Sequence, residues 1–368
     1  MVTRTPPRSL GVAVVGCGRM GTHRARIAAM HPAVDFLALT DIAPQPLERL
    51  AETTSADLVT ADAHHVVTHP EVDTVFISSP EDQHVEIALA AIAAGKHVLV
   101  EKPLATSSED GLRLVRAARA AEVELRVGYS QRFRRETFVA KQHLDAGRLG
   151  SFTGGTIRVV NSRAQAFAIM ERVPHVSIIV DILTYWVDIA GWLMDGAVPV
   201  EVVAMGSGDV LRSVTGPNGP DDLTTAIVRY DNGAVMTYTV CYALPAAFPT
   251  QGQAVRIELV GADGYLVLDN DQRGSFLFTD HGLPHAYVPG HHMPMAYLGS
   301  TTSGDWALGT MFGPIAEETR SWLDHLSTGA PTHIATAKEA MLALEITLAM
   351  ERASLGGSPV RFVPPTLD

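Results

Sequence analysis

The stretch Val12-Ala13-Val14-Val15-Gly16-Cys17-Gly18-Arg19-Met20-Gly21, continued by Thr22-His23-Arg24-Ala25-Arg26-Ile27-Ala28-Ala29-Met30, decides the fold. Four consecutive apolar residues read as a strand buried on both faces, and the residues after Gly21 have helical composition. Strand, glycine turn and helix in this order open a doubly wound parallel sheet. Gly16 permits the tight turn, Gly18 lets a pyrophosphate approach the backbone, Gly21 lets the helix pack on the strand, and the helix N-terminus offers unpaired N–H donors. Arg19 and Met20 complete the loop, so Gly16, Gly18, Arg19, Met20 and Gly21 are cofactor-binding candidates. A second strand, Asp35-Phe36-Leu37-Ala38-Leu39-Thr40, ends at Asp41, at the spacing expected of a ribose-binding carboxylate. The nearest basic residue after Asp41 is Arg49, so the pattern favours NAD over NADP, whose 2′-phosphate Asp41 would repel. An acidic turn residue is the alternative reading of Asp41.

The alternation continues outward. Thr74-Val75-Phe76-Ile77-Ser78 reads as a strand, Gln83 to Ala94 as an alanine-rich helix stopped by Gly95, and Ser107 with Asp110 as a capping-box-like helix start. Glu124 to Tyr129 is a further strand. This is βαβ repetition on a parallel sheet. Ser79, Pro80 and His84 follow the Thr74–Ser78 strand and fall beside the cofactor. The same His84 is also consistent with a helix-start histidine whose hydrogen bonds are satisfied internally.

Gly95-Lys96-His97-Val98-Leu99-Val100-Glu101-Lys102-Pro103-Leu104 brings an ionisable amine to the carboxyl end of a buried strand, the ligand side of such a sheet. Proline after Lys102 keeps the lysine out of the helical region, so the backbone sets its direction. A pre-aimed ammonium suits polarising a carbonyl or an alkoxide. Glu101 and Lys102 are therefore added to the cofactor-side candidates, and Lys102 to the catalytic ones.

These motifs, together with Gly128-Tyr129 and Arg132-Phe133, resemble the glucose–fructose oxidoreductase/inositol dehydrogenase/rhizopine catabolism (Gfo/Idh/MocA) family over nearly the whole chain. The resemblance implies a Rossmann domain, taken as residues 9–130. It also implies an α/β domain over 131–368 with a large open, mostly antiparallel sheet whose exposed face mediates homodimer or homotetramer contacts. The last helix, near 335–355, would pack toward the first domain. The implied chemistry is hydride transfer between a nicotinamide and a polyol, inositol, sugar or related alcohol, and the Lys-Pro bond of such proteins is commonly strained or cis.

In the second half, strand-like segments occur at 152–161, 201–206, 224–230, 234–242, 255–261 and 264–268, with a hairpin turn at Asp231-Asn232-Gly233. Helices are expected near 177–194 and 313–327. On the first of these, Asp181, Tyr185 and Asp188 are spaced i, i+4 and i+7, which uniform α-helical geometry places within roughly 60° on one face. The resemblance makes Asp181 the residue that positions substrate and puts Tyr185 where the family carries a catalytic histidine. A free phenol has a pKa of about 10, so as a base Tyr185 needs an adjacent cation such as Lys102, whereas in the reductive direction a neutral phenol can donate its proton directly. His175 is the alternative base. Arg132, Arg163 and Tyr242 are substrate-contact candidates beside Lys102, Asp181 and Tyr185, and Gln165 could share that role with Arg163.

Bulk properties agree with an enzyme of this kind. At 368 residues the chain suggests two domains. A net charge of −12 disfavours a nucleic-acid backbone or an anionic membrane as partner and makes a small uncharged or cationic ligand easier to accept, and the resemblance implies a small-molecule polyol or sugar. Cys17 and Cys241 alone indicate neither a disulfide framework nor a multi-cysteine zinc site, so the cytoplasm is the default compartment. Residues 1–10 lack the apolar core of a signal peptide. His281, His285, His291 and His292, with Asp280, sit in a proline- and glycine-rich stretch without helical His-x-x-x-His spacing, so no metal site is assigned and a loop over the cleft is the preferred reading. Trp306 and Phe312 beyond it could shape a substrate pocket or simply pack. Beside the dehydrogenase stand two other classes, an NAD-assisted glycosidase working by transient oxidation and elimination, and a non-catalytic sugar or cofactor sensor.

Overall fold

Continuous apolar runs flanked by glycines produce central parallel strands, and the first third of the chain folds accordingly. The computed structural model describes residues 8–172, 177–216, 219–246, 253–269, 276–284, 290, 292–297, 305–307 and 310–366. The opening elements are β1 (Leu10–Val15), α1 (Arg19–Ala29), β2 (Val34–Thr40), α2 (Pro44–Thr54), β3 (Leu58–Thr60), α3 (Ala63–Val67), β4 (Thr74–Ile77), α4 (His84–Ala93), β5 (His97–Glu101), α5 (Ser108–Ala120) and β6 (Leu125–Gly128). Their sheet has the order β3-β2-β1-β4-β5-β6, all parallel, which is the dinucleotide-binding arrangement with its switch point between β1 and β4. Val12, Val14, Phe76, Ile77, Val98 and Val100 are fully buried, as strands covered on both faces require. The expected cap is present: Ser107 Oγ accepts from the Asp110 amide at 3.2 Å.

The chain continues with α6 (Arg135–Asp145), β7 (Phe152–Ser162), α7 (Arg163–Arg172), a π-helical turn over Ile179–Leu183, α8 (Thr184–Leu193), β8 (Pro199–Ser207), α9 (Arg212–Thr215), β9 (Leu223–Tyr230), β10 (Val235–Leu244), β11 (Ala254–Gly261), β12 (Gly264–Asp269), β13 (Phe276–Pro284) and β14 (His292–Tyr297). It ends with β15 (Asp305–Ala307), β16 (Thr310–Phe312), α10 (Pro314–Thr328), β17 (Ala335–Thr336), α11 (Ala337–Gly356) and β18 (Val360–Arg361). The second sheet runs β14-β13-β12-β11-β7-β10-β9-β8-β18 and is antiparallel except where β7 and β10 pair in parallel. Period-two burial gives it two unlike faces. Ile157, Val159, Ala226, Val228, Met236, Tyr238, Val240, Ile257 and Leu259 are buried on the side where α6, α7 and the π turn pack. Val203, Met205, Ile227, Val235 and Val260 are among the exposed large apolar side chains, all on these strands.

Two compact units result, residues 1–133 with 302–344 and 365–368, and residues 134–301 with 345–364. The first break lies three residues from the sequence boundary at 130/131. The return of residues 302–344 to the first unit is not anticipated by that boundary. Its cause is packing: Ile315 and Ala316 of α10 join Ile27 and Met311 in one buried cluster edged by Met20, and Trp322 Nε1 donates to Thr74 Oγ1 at 3.0 Å. An amphipathic helix signals that it needs a partner surface, but its periodicity does not name the partner. β17 adds antiparallel to the β6 edge in the same unit. Among the described residues no helix is long and apolar enough to cross a membrane.

Candidate active site

The nucleotide end is assembled from loops at the carboxyl ends of β1, β2 and β4. Gly16 has φ +93°, and a Cβ there would meet the Ser78 backbone at 2.7 Å. A Cβ at Gly21 would lie 1.7 Å from the Gly16 carbonyl oxygen, so this glycine sets how closely α1 approaches the loop. Gly18 differs, because a Cβ there would meet nothing within 4 Å. As N-cap of α1 it supplies no side-chain bond to the first-turn amides, which leaves an open cradle of N–H donors at the positive end of the helix. The Ser78 and Ser79 hydroxyl oxygens beside the loop are buried and have no hydrogen-bond partner among the described residues. An open glycine face, uncapped amides and orphaned hydroxyls fit a dinucleotide phosphate. Arg19 is exposed and Met20 partly exposed in the first turn.

Asp41 is fixed on both sides. Its Oδ2 accepts from the Cys17 amide at 2.6 Å and its Oδ1 from the Ala43 amide at 2.7 Å. Each oxygen retains acceptor capacity toward ribose hydroxyls. Burial, then the charge of Asp41, pushes the Cys17 thiol up to about 12, so this loop cysteine stays protonated. Arg49 spends its Nε on the Gln45 carbonyl at 3.2 Å within its own helix.

Lys102 follows the last residue of β5, and the Lys102–Pro103 peptide bond is cis. Between the loops after β4 and β5 lies His84, whose Nε2 lies 3.0 Å from the Ser79 carbonyl oxygen and whose Nδ1 lies 3.1 Å from that of Pro103. The ring is buried, and this burial lowers its pKa despite the two carbonyls. A neutral ring donates from one nitrogen only, so His84 bonds one of the two carbonyls at a time while lying between the two loops. Glu101 accepts a buried ion pair from Arg24 at 2.7 Å.

In the second unit, the turn carrying Asp181 departs from uniform α-helix. Residues 179–183 form a π turn that runs into α8, and an i→i+5 turn changes the angle between Asp181 and Tyr185 that α-helical spacing gives. Burial also separates the three residues: Asp181 and Asp188 are buried and Tyr185 is half-buried, so they do not form one solvated stripe. Such turns recur at functional sites because they re-aim a side chain. Tyr242, on β10, is fully buried, and its hydroxyl lies beside the Asn161 and Gln253 amides and the Asp181 carboxylate without a well-formed hydrogen bond. Burial first, and then Asp181, raises its pKa, so it is held as a neutral phenol able to donate. Trp186 Nε1 donates to Gln253 Oε1 at 3.1 Å, while Asn161 Oδ1 accepts from the Ser162 amide at 2.7 Å and its Nδ2 donates to Gln165. Asn161 and Gln253 were not singled out by sequence. The first carries a signal, a polar residue at the end of an apolar strand; the second carries none.

Arg132 is 2% exposed and pairs with Glu339 at 3.2 Å, donating as well to the His333 carbonyl. Burial alone would raise the Glu339 pKa, but Arg132 and the bonds from Thr336 bring it below the ordinary value. Arg163 donates to the Ala243 and Leu244 carbonyls at 2.9 and 3.2 Å. It is the first residue of α7 (Arg163–Arg172). His175, His285 and His291 lie outside the described residues. His281 pairs with Asp263 at 3.1 Å, His292 is on β14 and Phe312 is exposed on β16, while Asp280 and Trp306 lie on β13 and β15. No cluster of three metal-ligating side chains occurs among the described residues.

Comparison with known proteins gives the same pattern in sequence and fold. Residues 10–129 match a family described as "Oxidoreductase family, NAD-binding Rossmann fold", and residues 139–267 match "GFO/IDH/MocA C-terminal domain". The chain is 28% identical over 271 residues to myo-inositol 2-dehydrogenase of Thermotoga maritima, covering 73% of this chain and 78% of that one. It is 28% identical over 363 residues to inositol 2-dehydrogenase 1 of Mycolicibacterium vanbaalenii, covering 95% of each. The fold is also that of scyllo-inositol dehydrogenase from Lactobacillus casei, solved with bound NAD(H) and scyllo-inositol, at TM-score 0.75 and 20% identity over 96% of this chain and 99% of that one. The glycine loop, the Lys102 turn and the two matched regions place this chain in the Gfo/Idh/MocA family of oxidoreductases, with a Rossmann domain that binds NAD.

Proposed function

We propose that this protein is an NAD-dependent dehydrogenase that interconverts a ring CH–OH group and a ketone on a neutral cyclic polyol, an inositol foremost. The observation that carries the reading is Lys102 at the carboxyl end of β5, on the cofactor side of a sheet whose relatives are named inositol dehydrogenases. When bound, NAD supplies the two-electron acceptor. Lys102 holds the reacting oxygen, Tyr185 carries the hydroxyl proton and Asp181 orients the substrate. In the reductive direction the Tyr185 phenol donates its proton to the forming alkoxide. Tyr242, kept neutral by burial, offers an O–H donor to a second hydroxyl, and Arg132 and Arg163 order their surroundings while belonging to the proposed substrate side. Replacing Tyr185 with Phe is expected to lower kcat for myo-inositol oxidation about 100-fold, the loss typical of one proton-transfer group. Unchanged turnover would remove Tyr185 from the mechanism.

The preference for NAD over NADP rests on Asp41, held by Cys17 and Ala43 with no lysine or arginine in the turn 41–44. Asp41→Ser is expected to narrow the NAD/NADP ratio of kcat/KM at least about tenfold, because a carboxylate facing a 2′-phosphate costs one to two kcal/mol or more. An unaltered ratio in that variant contradicts the assignment. Two unpaired thiols, Cys17 and Cys241, fit a reducing cytoplasm.

A homo-oligomer built through the open sheet face accounts for its exposed Met205, Ile227, Val203 and Val260. Light scattering should give a dimer or tetramer mass, and Met205→Glu with Ile227→Glu should shift it toward monomer. A monomeric wild type would end this part of the proposal.

A further inference from the structure

One buried charge cluster in the first unit joins the cofactor-side candidate Glu101 to residues outside the candidate site. Arg24, on α1, is 1% exposed. Its Nε and Nη2 both donate to Glu101 Oε1, at 3.0 and 2.7 Å. The same Nη2 reaches Glu318 Oε2 at 2.6 Å, and Nη1 reaches Thr319 Oγ1 at 2.9 Å, both on α10. The guanidinium also lies over the Phe76 ring, 6.0 Å from its centroid. Desolvation opposes its charge, but the two carboxylates more than offset this, so Arg24 stays cationic. The surroundings are shaped to the pair: a Cβ on Gly128 would come within 2.7 Å of Arg24 Nη2 and 3.2 Å of Glu101 Oε2.

A buried guanidinium shared by two carboxylates is weak evidence for added stability, because desolvation of the three groups cancels much of their attraction. Its placement is more informative. Glu101 is the last residue of β5, and Lys102 is next in the chain. Successive side chains of a strand point to opposite sides, so fixing the Glu101 carboxylate fixes the backbone rotation from which Lys102 departs.

We infer that Arg24 is a positioning residue for the Lys102 amine, acting through Glu101; the inference rests on the reading of Lys102 as the group that holds the reacting oxygen. A lysine at position 24 keeps the charge but cannot span Glu101, Glu318 and Thr319 with a planar fork.

The test uses the full-length protein with Arg24→Met, Arg24→Lys, Lys102→Ala and, as a structural control on the same helix as Glu318, Trp322→Phe, which deletes the bond to Thr74. Two readouts are taken. Turnover of myo-inositol with NAD is resolved into kcat and KM, and the labelling rate of Lys102 by acetic anhydride is followed by peptide mass spectrometry, with Lys96, Lys141 and Lys338, the only other lysines, as internal references. Arg24→Met is expected to lower kcat about 30- to 100-fold with KM for NAD within about threefold, and Arg24→Lys about 10-fold. Lys102 labelling, relative to the other lysines, is expected to change at least about threefold in Arg24→Met, because the backbone from which the amine departs is no longer held through Glu101. Trp322→Phe should change thermal stability without changing either readout. Wild-type kcat and labelling in Arg24→Met, or losses that follow melting temperature equally in Trp322→Phe, would overturn the inference. Should Arg24→Met not fold, Arg24→Lys decides on the same two readouts. Full activity in Lys102→Ala would instead sink the reading of Lys102 itself. An inactive Lys102→Ala beside a normal Arg24→Met sinks only the role of Arg24.

Discussion

Replacing Lys102 with alanine is expected to lower kcat for myo-inositol oxidation about 1000-fold while changing NAD affinity less than about fivefold. The size follows from two roles in one amine. A cation bonded to the reacting oxygen stabilises the charge that develops there, an effect of about 100- to 1000-fold when one such donor is lost. On the proposed reading the same cation also eases proton movement at Tyr185, so alanine removes both contributions at once. NAD binding, on the same proposed reading, rests chiefly on the glycine loop, the α1 amides and Asp41. Lys102→Arg should not restore activity, since a planar fork does not replace a point charge on a short approach. Turnover by NADH fluorescence and NAD affinity by titration separate the two quantities. A kcat within about tenfold of wild type, on the scale of general acid–base effects, would contradict the role given to Lys102.

Substitution of Gly18 by valine should abolish NAD binding in a protein that still folds, with affinity down about 100-fold or more and melting temperature lowered by a few degrees at most. The backbone at Gly18, φ −68° and ψ −164°, is open to any residue, and a Cβ there meets nothing within 4 Å. The space it enters is the one that a pyrophosphate uses to reach the α1 amides. Gly21→Ala is the contrasting case. Its methyl would fall 1.7 Å from the Gly16 carbonyl oxygen, so loop and helix must separate and stability falls with binding. Differential scanning fluorimetry with and without NAD distinguishes them. A Gly18→Val protein whose melting temperature still rises with NAD as wild type does would remove the loop from cofactor binding.

How far the sequence reached depends on the kind of signal each element leaves. The Rossmann half was legible because a buried parallel strand needs an unbroken apolar run and its turn needs glycine, and Val12–Gly21 and Gly95–Lys102 state both. The hairpin at Asp231–Gly233 was equally plain, with Gly233 at φ +86°. The return of α10 to the first unit was not legible, since the helix displays an apolar face without saying that Ile27 and Thr74 receive it. The π turn at Ile179–Leu183 left no trace in a periodic reading that assumes one angle per residue. The partners of Arg163, the Ala243 and Leu244 carbonyls, are 80 and 81 residues away and leave no local signal. Arg24 carries no signal of its own in the sequence, because its partners Glu101 and Glu318 lie 77 and 294 residues away. Long-range polar partners are the part of a fold that local pattern does not encode.

The central claim is net oxidation of a neutral polyol by this chain with NAD. Its most direct test is NADH fluorescence after mixing the wild-type protein with NAD and, separately, inositols, aldoses, an anhydrosugar and simple glycosides. The account expects NADH to accumulate in proportion to substrate consumed with at least one inositol, and not with NADP at equal concentration. Release of sugar from a glycoside without net NADH, or NAD binding with no NADH from any of these compounds, would contradict it.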